Sequence, residues 1–138
     1  MNKLGTLAVV SIVVSAACVA ATAQIHKGKT RLALTKQIMV GLVHPNYSAI
    51  EKLAKDIPAN EKAWDTLATN AALLNEASHL LMDDGRCPDA NWEKAAQQLR
   101  KGSGAVLAKI EAKDAASVVI ELKAMTQACV ACHAAHKD

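Results

Sequence analysis

Near the end of the chain stand Cys129-Val130-Ala131-Cys132-His133. Two thiols three positions apart, followed at once by an imidazole, limit what this chain can become more than any apolar stripe does. On a helix, positions i, i+3 and i+4 share one face, with Cβ atoms about 5–6 Å apart. Cys129, Cys132 and His133 can therefore address one flat object together. That is the attachment signature of a c-type haem. Cys129 and Cys132 would form thioethers to the two vinyl groups along one haem edge, with His133 as the proximal axial ligand of the iron.

Other uses of the motif fit less well. Zinc needs two further ligands in tetrahedral array. His133 and His136 lie too close along one helix to close such a cage, and there is no second Cys-x-x-Cys. A redox dithiol belongs beside a βαβ pattern, which this chain lacks.

The other end of the chain agrees. A basic Met-Asn-Lys leads into an apolar run from Leu4 to Val19, then the small-x-small pattern Ala21-Thr22-Ala23 before Gln24. This reads as a secretory signal peptide over residues 1–23. The run is near the ~20 residues that span a bilayer, so an uncleaved anchor is the alternative. Once the segment is cut, no stable membrane insertion is expected. Cys18 reads as a small apolar filler in the discarded segment. Export puts the protein in the periplasm, outside the cytoplasm, where bacterial haem attachment takes place.

The 138 residues leave room for one domain, here 24–138. Hydrophobic residues make up 51%, yet there is no Phe, one Tyr and two Trp, so Ala, Leu, Val and Ile carry the apolar content. That suits close-packed helices. A formal charge of +3 gives no argument for nucleic acid as a partner.

Four apolar stripes alternate in steps of three and four, the seam of helices in a bundle. The first is Leu32, Thr35, Met39, Leu42, Asn46, Ala49 and Leu53, with a kink or break expected at His44-Pro45. After a loop at Ile57-Pro58-Ala59-Asn60, with Asn60 as N-cap, come Trp64, Leu67, Ala71, Leu74, Ser78 and Leu81. Asp83-Asp84-Gly85 stops that helix. The third stripe is Trp92, Ala96, Leu99, Ser103, Val106 and Ile110. Gly102 and Gly104 mark close approach to a neighbouring helix or to a flat ligand, or else simple tolerance. The fourth is Val118, Leu122, Met125, Cys129, Cys132 and His136, so the haem motif falls on a core-facing seam. The expected fold is all-α, an antiparallel four-helix bundle with covalent haem on the C-terminal helix, preceded by a signal-peptide helix. Closure would set the first and fourth helices side by side, with Met39 and His133 at similar height.

Four helices with Cys-x-x-Cys-His at the very end resemble the class II c-type cytochromes, the cytochrome c′ and methionine-ligated c-556-like group. The resemblance spans the mature chain and rests on Met39, on Trp92 opening the third helix, and on Cys129 through Lys137. It implies that Met39 is the distal axial ligand. A His/Met-ligated iron has no open site, and such ligation raises the reduction potential. The implied function is a monohaem electron carrier, not an enzyme, that passes single electrons between redox partner proteins. The alternative is a five-coordinate, c′-like protein binding nitric oxide or carbon monoxide. A haem enzyme would need a distal acid or base, and only Lys36 and Gln37 stand near Met39 in sequence. Relatives often pair through their first two helices, which would give a homodimer; Pro45 falls on that surface.

Two positions depart from the family pattern. His136 stands where Tyr or Phe is common, and reads as a partly exposed terminal residue. Thr35 stands where many cytochromes c′ carry Arg, which counts against their distal hydrogen-bonding pattern. Among the rest, Met82 and Met125 are badly placed to face a distal iron. His44 reads as a loop residue, and His26 and His79 read as solvated. Trp64 and Trp92 read as core anchors, though either could pack on a porphyrin edge. Cys87 is left unpaired in the Gly85–Pro88 loop.

Overall fold

The computed structural model describes residues 28–136. The expected signal segment 1–23, with Cys18, lies outside them, as do His26 and Lys137. The described chain is helical, with no β-strand, and its helices pack into a four-armed bundle. The first arm is built of consecutive pieces: α1 (Thr35–Ile38), a π turn (Met39–Val43), α2 (His44–Glu51) and a 3-10 turn (Lys52–Ala54). The other arms are α3 (Glu61–Met82), α4 (Ala90–Glu111) and α5 (Ala115–His136).

The starts of the long helices follow from their caps. The Asn60 side chain accepts from the Ala63 N–H at 3.0 Å, Asp89 from Trp92 at 2.9 Å, and Asp114 from Ser117 at 3.0 Å. Each satisfies a donor that the first helical turn leaves without a partner. α3 ends where Asp84 and Gly85 both take positive φ, 61° and 78°, a conformation that glycine accepts freely and Asp tolerates.

The stripes of α3 and α4 are buried at every expected position. Each fully buried Leu, Ile or Val adds roughly 1.5–3 kcal/mol of favourable transfer energy. Asn75 crosses between these two helices, donating to the Arg100 carbonyl at 2.8 Å and to Ser103 Oγ at 3.2 Å. A Cβ on Gly102 would stand 2.7 Å from Met125 Cγ, so this glycine serves the close approach of α4 and α5, whereas Gly104 faces open space. α5 is, by length and composition, apolar enough to cross a bilayer. Its Val118, Leu122, Met125 and Ala128 are nevertheless buried within the bundle.

The first arm differs from expectation in two ways. The helix begins only at Thr35, leaving Leu32 80% exposed before it. It neither breaks nor stops at Pro45, because a π turn carries the chain through, and His44 becomes helical. Ile50 takes the buried place that the stripe assigned to Ala49.

The approach to this arm is fastened by Asp84. Its carboxylate accepts from the Arg31 N–H at 2.8 Å, from the Thr30 N–H at 3.0 Å and from the Thr30 hydroxyl at 2.9 Å. Buried Arg86 donates to the Ala33 carbonyl at 2.8 Å.

Closure of the bundle is uneven. Close backbone approach between the first arm and α5 occurs only at α2 and the 3-10 turn; α1 and the π turn make none with α5. Tyr47 Oη and Thr126 Oγ1, 3.0 Å apart, join α2 to α5 at the closed end. Beyond them the seam stands open.

Candidate cofactor site

The open seam leads to two adjoining spaces. The inner one, about 50 Å³, is bounded by Met39 and Val43 from the first arm, Leu81 from α3, Trp92, Ala95, Ala96 and Leu99 from α4, and Ala128, Cys129, Cys132 and His133 from α5. The outer space is a cleft of about 890 Å³ between the first arm and α5, within the ~300–1,000 Å³ range of small-molecule sites, and it reaches from His44 and Tyr47 to Val130 and Ala134. Met39, Val43, Cys129 and His133 border both.

All four residues expected at the site are thus brought to one place. Cys129 and Cys132 are half-buried on one side of α5, and His133 is exposed at the mouth. Met39, half-buried, faces the same cavity from the opposing arm. The walls are almost wholly apolar, with small side chains at Ala95, Ala96 and Ala128 on the α4 and α5 sides of the inner space.

Burial pushes the Cys129 thiol above its ordinary value of 9.0. It does the same for Cys132, where the neighbouring Cys129 adds to the effect. Zinc sites and reactive dithiols use the thiolate and favour electropositive surroundings, which these two thiols lack. Among the described residues no three His, Cys, Asp or Glu side chains are grouped to hold a metal ion. A haem iron asks for less, since the porphyrin fills four positions and the protein supplies only axial ligands. The donor set and the apolar walls therefore fit a covalently held haem.

The other candidates separate cleanly. Met82 and Met125 border neither space, and Met125 lies beneath Gly102. His44 is exposed on the wall of the cleft, while His79 and Trp64 are away from both spaces. Lys36 and Gln37 are exposed, and Gln37 Oε1 accepts from the Leu34 N–H at 2.8 Å, at the start of α1. Cys87 is half-buried in its loop, with Sγ 3.5 Å from the Asp89 carbonyl.

His136 is partly exposed as a residue, as expected, but its imidazole is largely covered. Its side chain is 6% exposed, with Nε2 3.4 Å from Asp89 Oδ1. The stripes did not single out Val43, Ala95 and Ala128 as lining residues, since each lies one position off a predicted seam. An alanine there gives no signal of its own.

Compared with known proteins, the chain matches no family model, no curated protein and no solved structure.

Proposed function

We propose that this protein is a monohaem c-type cytochrome of the class II kind that carries single electrons between redox partner proteins in the periplasm. One observation carries the reading: both thiols of Cys129-x-x-Cys132-His133 and the Met39 thioether border the same apolar cavity. Bound there, a haem c supplies a one-electron couple of its iron. Cys129 and Cys132 would hold it by thioethers, fixing its edge to α5. His133 would serve as proximal ligand and Met39 as distal ligand, and a soft thioether there favours the reduced state. Apolar walls from Leu81, Trp92 and Leu99 keep water from the inner face and disfavour added charge, which also raises the potential.

A carrier needs no acid or base at its iron, and Lys36 and Gln37, the polar neighbours of Met39 in sequence, border neither space. Exposed Val40 and Val130 flank the cleft. They offer an apolar rim through which a partner could approach the cofactor edge.

The test is the ferric spectrum of haem-loaded protein. Low-spin iron with a weak sulfur-to-iron charge-transfer band is expected, and the band should vanish in Met39→Ala. High-spin iron that takes up carbon monoxide rapidly in the unaltered protein would instead establish the gas-binding alternative.

A further inference from the structure

The π turn lies where the proposed distal ligand enters the cavity, and its cause is local. In a regular α-helix the Pro45 ring would collide with the carbonyl of Gly41, four residues back, and Pro45 has no N–H to offer it. The chain widens instead. The His44 N–H reaches the Met39 carbonyl, five residues back. Buried Asn46 donates its side-chain amide to the Leu42 carbonyl at 2.6 Å.

The widening sets a register. Ile38 and Asn46 are both buried, eight residues apart, whereas two α-helical turns take only about 7.2 residues. The wide turn absorbs the difference. It lets α1 and α2 both face the core while Met39 and Val43, its first and last residues, border the cavity. π turns of this kind recur at functional sites.

We infer that Pro45 and Asn46 are positioning residues for the distal ligand: by holding Met39–Val43 in a π turn, they keep the Met39 thioether on the cavity side of the first arm. The inference rests on the reading that Met39 ligates the iron. An α-helix advances about 100° per residue, so closing the wide turn rotates α1 by roughly a quarter turn relative to α2. With Asn46, Ile50 and Leu53 fixed in the core, Met39 would leave the cavity.

The experiment compares haem-loaded wild type, Pro45→Ala, the double variant Pro45→Ala/Asn46→Ala, and Gly41→Ala. Gly41 is a control because a Cβ there would point into open space, clear of every other side chain. Wild type and Gly41→Ala should show the sulfur-to-iron band. The double variant should keep its covalent haem, lose the band in most molecules and bind carbon monoxide where wild type does not. If it does not fold, Pro45→Ala, which restores only the missing N–H and removes the ring, carries the same expectation. A wild-type band that survives unchanged in these variants overturns the inference alone. Haem-bearing wild type without the band overturns Met39 ligation, and the inference with it.

Discussion

His136 stands edge-on to Trp92, with ring centroids 5.3 Å apart and planes at 78°. Trp92 in turn donates its indole N–H to the Leu81 carbonyl at 2.7 Å and borders the inner cavity. The last turn of α5 is thereby fixed to the opening of α4 and the end of α3, one turn beyond Cys132 and His133.

His136→Ala removes this edge contact, and aromatic pairs of this geometry contribute about 0.5–1.5 kcal/mol. A loss of about 1 kcal/mol in denaturant unfolding is expected, with most of it regained in His136→Phe. Asp89 is too exposed for its pairing with His136 to dominate.

The two glycines of α4 should respond oppositely. Gly104→Ala adds a methyl group in open space and should stabilise by up to about 1 kcal/mol through helix propensity. Gly102→Ala gains the same propensity but sets its Cβ 2.7 Å from Met125 Cγ and 3.3 Å from Met125 Cα. Side-chain movement alone cannot relieve the backbone contact, so this variant should be destabilised. Urea midpoints of the two variants check the contrast.

The stripes of α3 and α4 were legible in the sequence because each is one uninterrupted helix with a side-chain cap before it and a regular three-four seam. The first arm was not. Pro45 signals a disturbance, but it cannot say whether the helix breaks, kinks or widens. The outcome depends on Asn46 reaching the Leu42 carbonyl and on which residues the core accepts. The motif on α5 named its own chemistry. The shape of the cavity came from Ala95, Ala96 and Ala128, whose small size matters only once their neighbours are known. The clamp made by Arg86 and Asp84 was not legible for a related reason, since their partners, Ala33, Thr30 and Arg31, lie more than fifty residues away.

Acid should loosen the clamps. The Arg31 N–H foremost, and the Thr30 donors after it, hold the Asp84 carboxyl below its ordinary 3.8. The Trp92 N–H does so for Asp89, and Ser117 for Asp114. A lowered folded-state value favours folding above about pH 3.8, and that contribution disappears as pH falls through the lowered values. Stability should therefore drop below about pH 4. In Asp84→Asn the acid dependence should be flatter, and limited proteolysis at neutral pH should cut the segment around Thr30 sooner.

Filling the inner cavity should separate folding from cofactor binding. Ala128 is buried on its wall, and Ala128→Leu places a larger side chain where the flat group would lie. Overpacking typically costs about 1–3 kcal/mol. The variant should stay helical and unfold cooperatively, while its haem content per chain falls to a minor fraction of wild type.

The most direct measurement is the intact mass of protein purified from an exporting host that matures c-type cytochromes. The account predicts a mass raised by one haem that survives denaturation and acidic acetone, and no such adduct in Cys129→Ala/Cys132→Ala. A colourless protein of unmodified mass, or pigment that acidic acetone extracts, would contradict it.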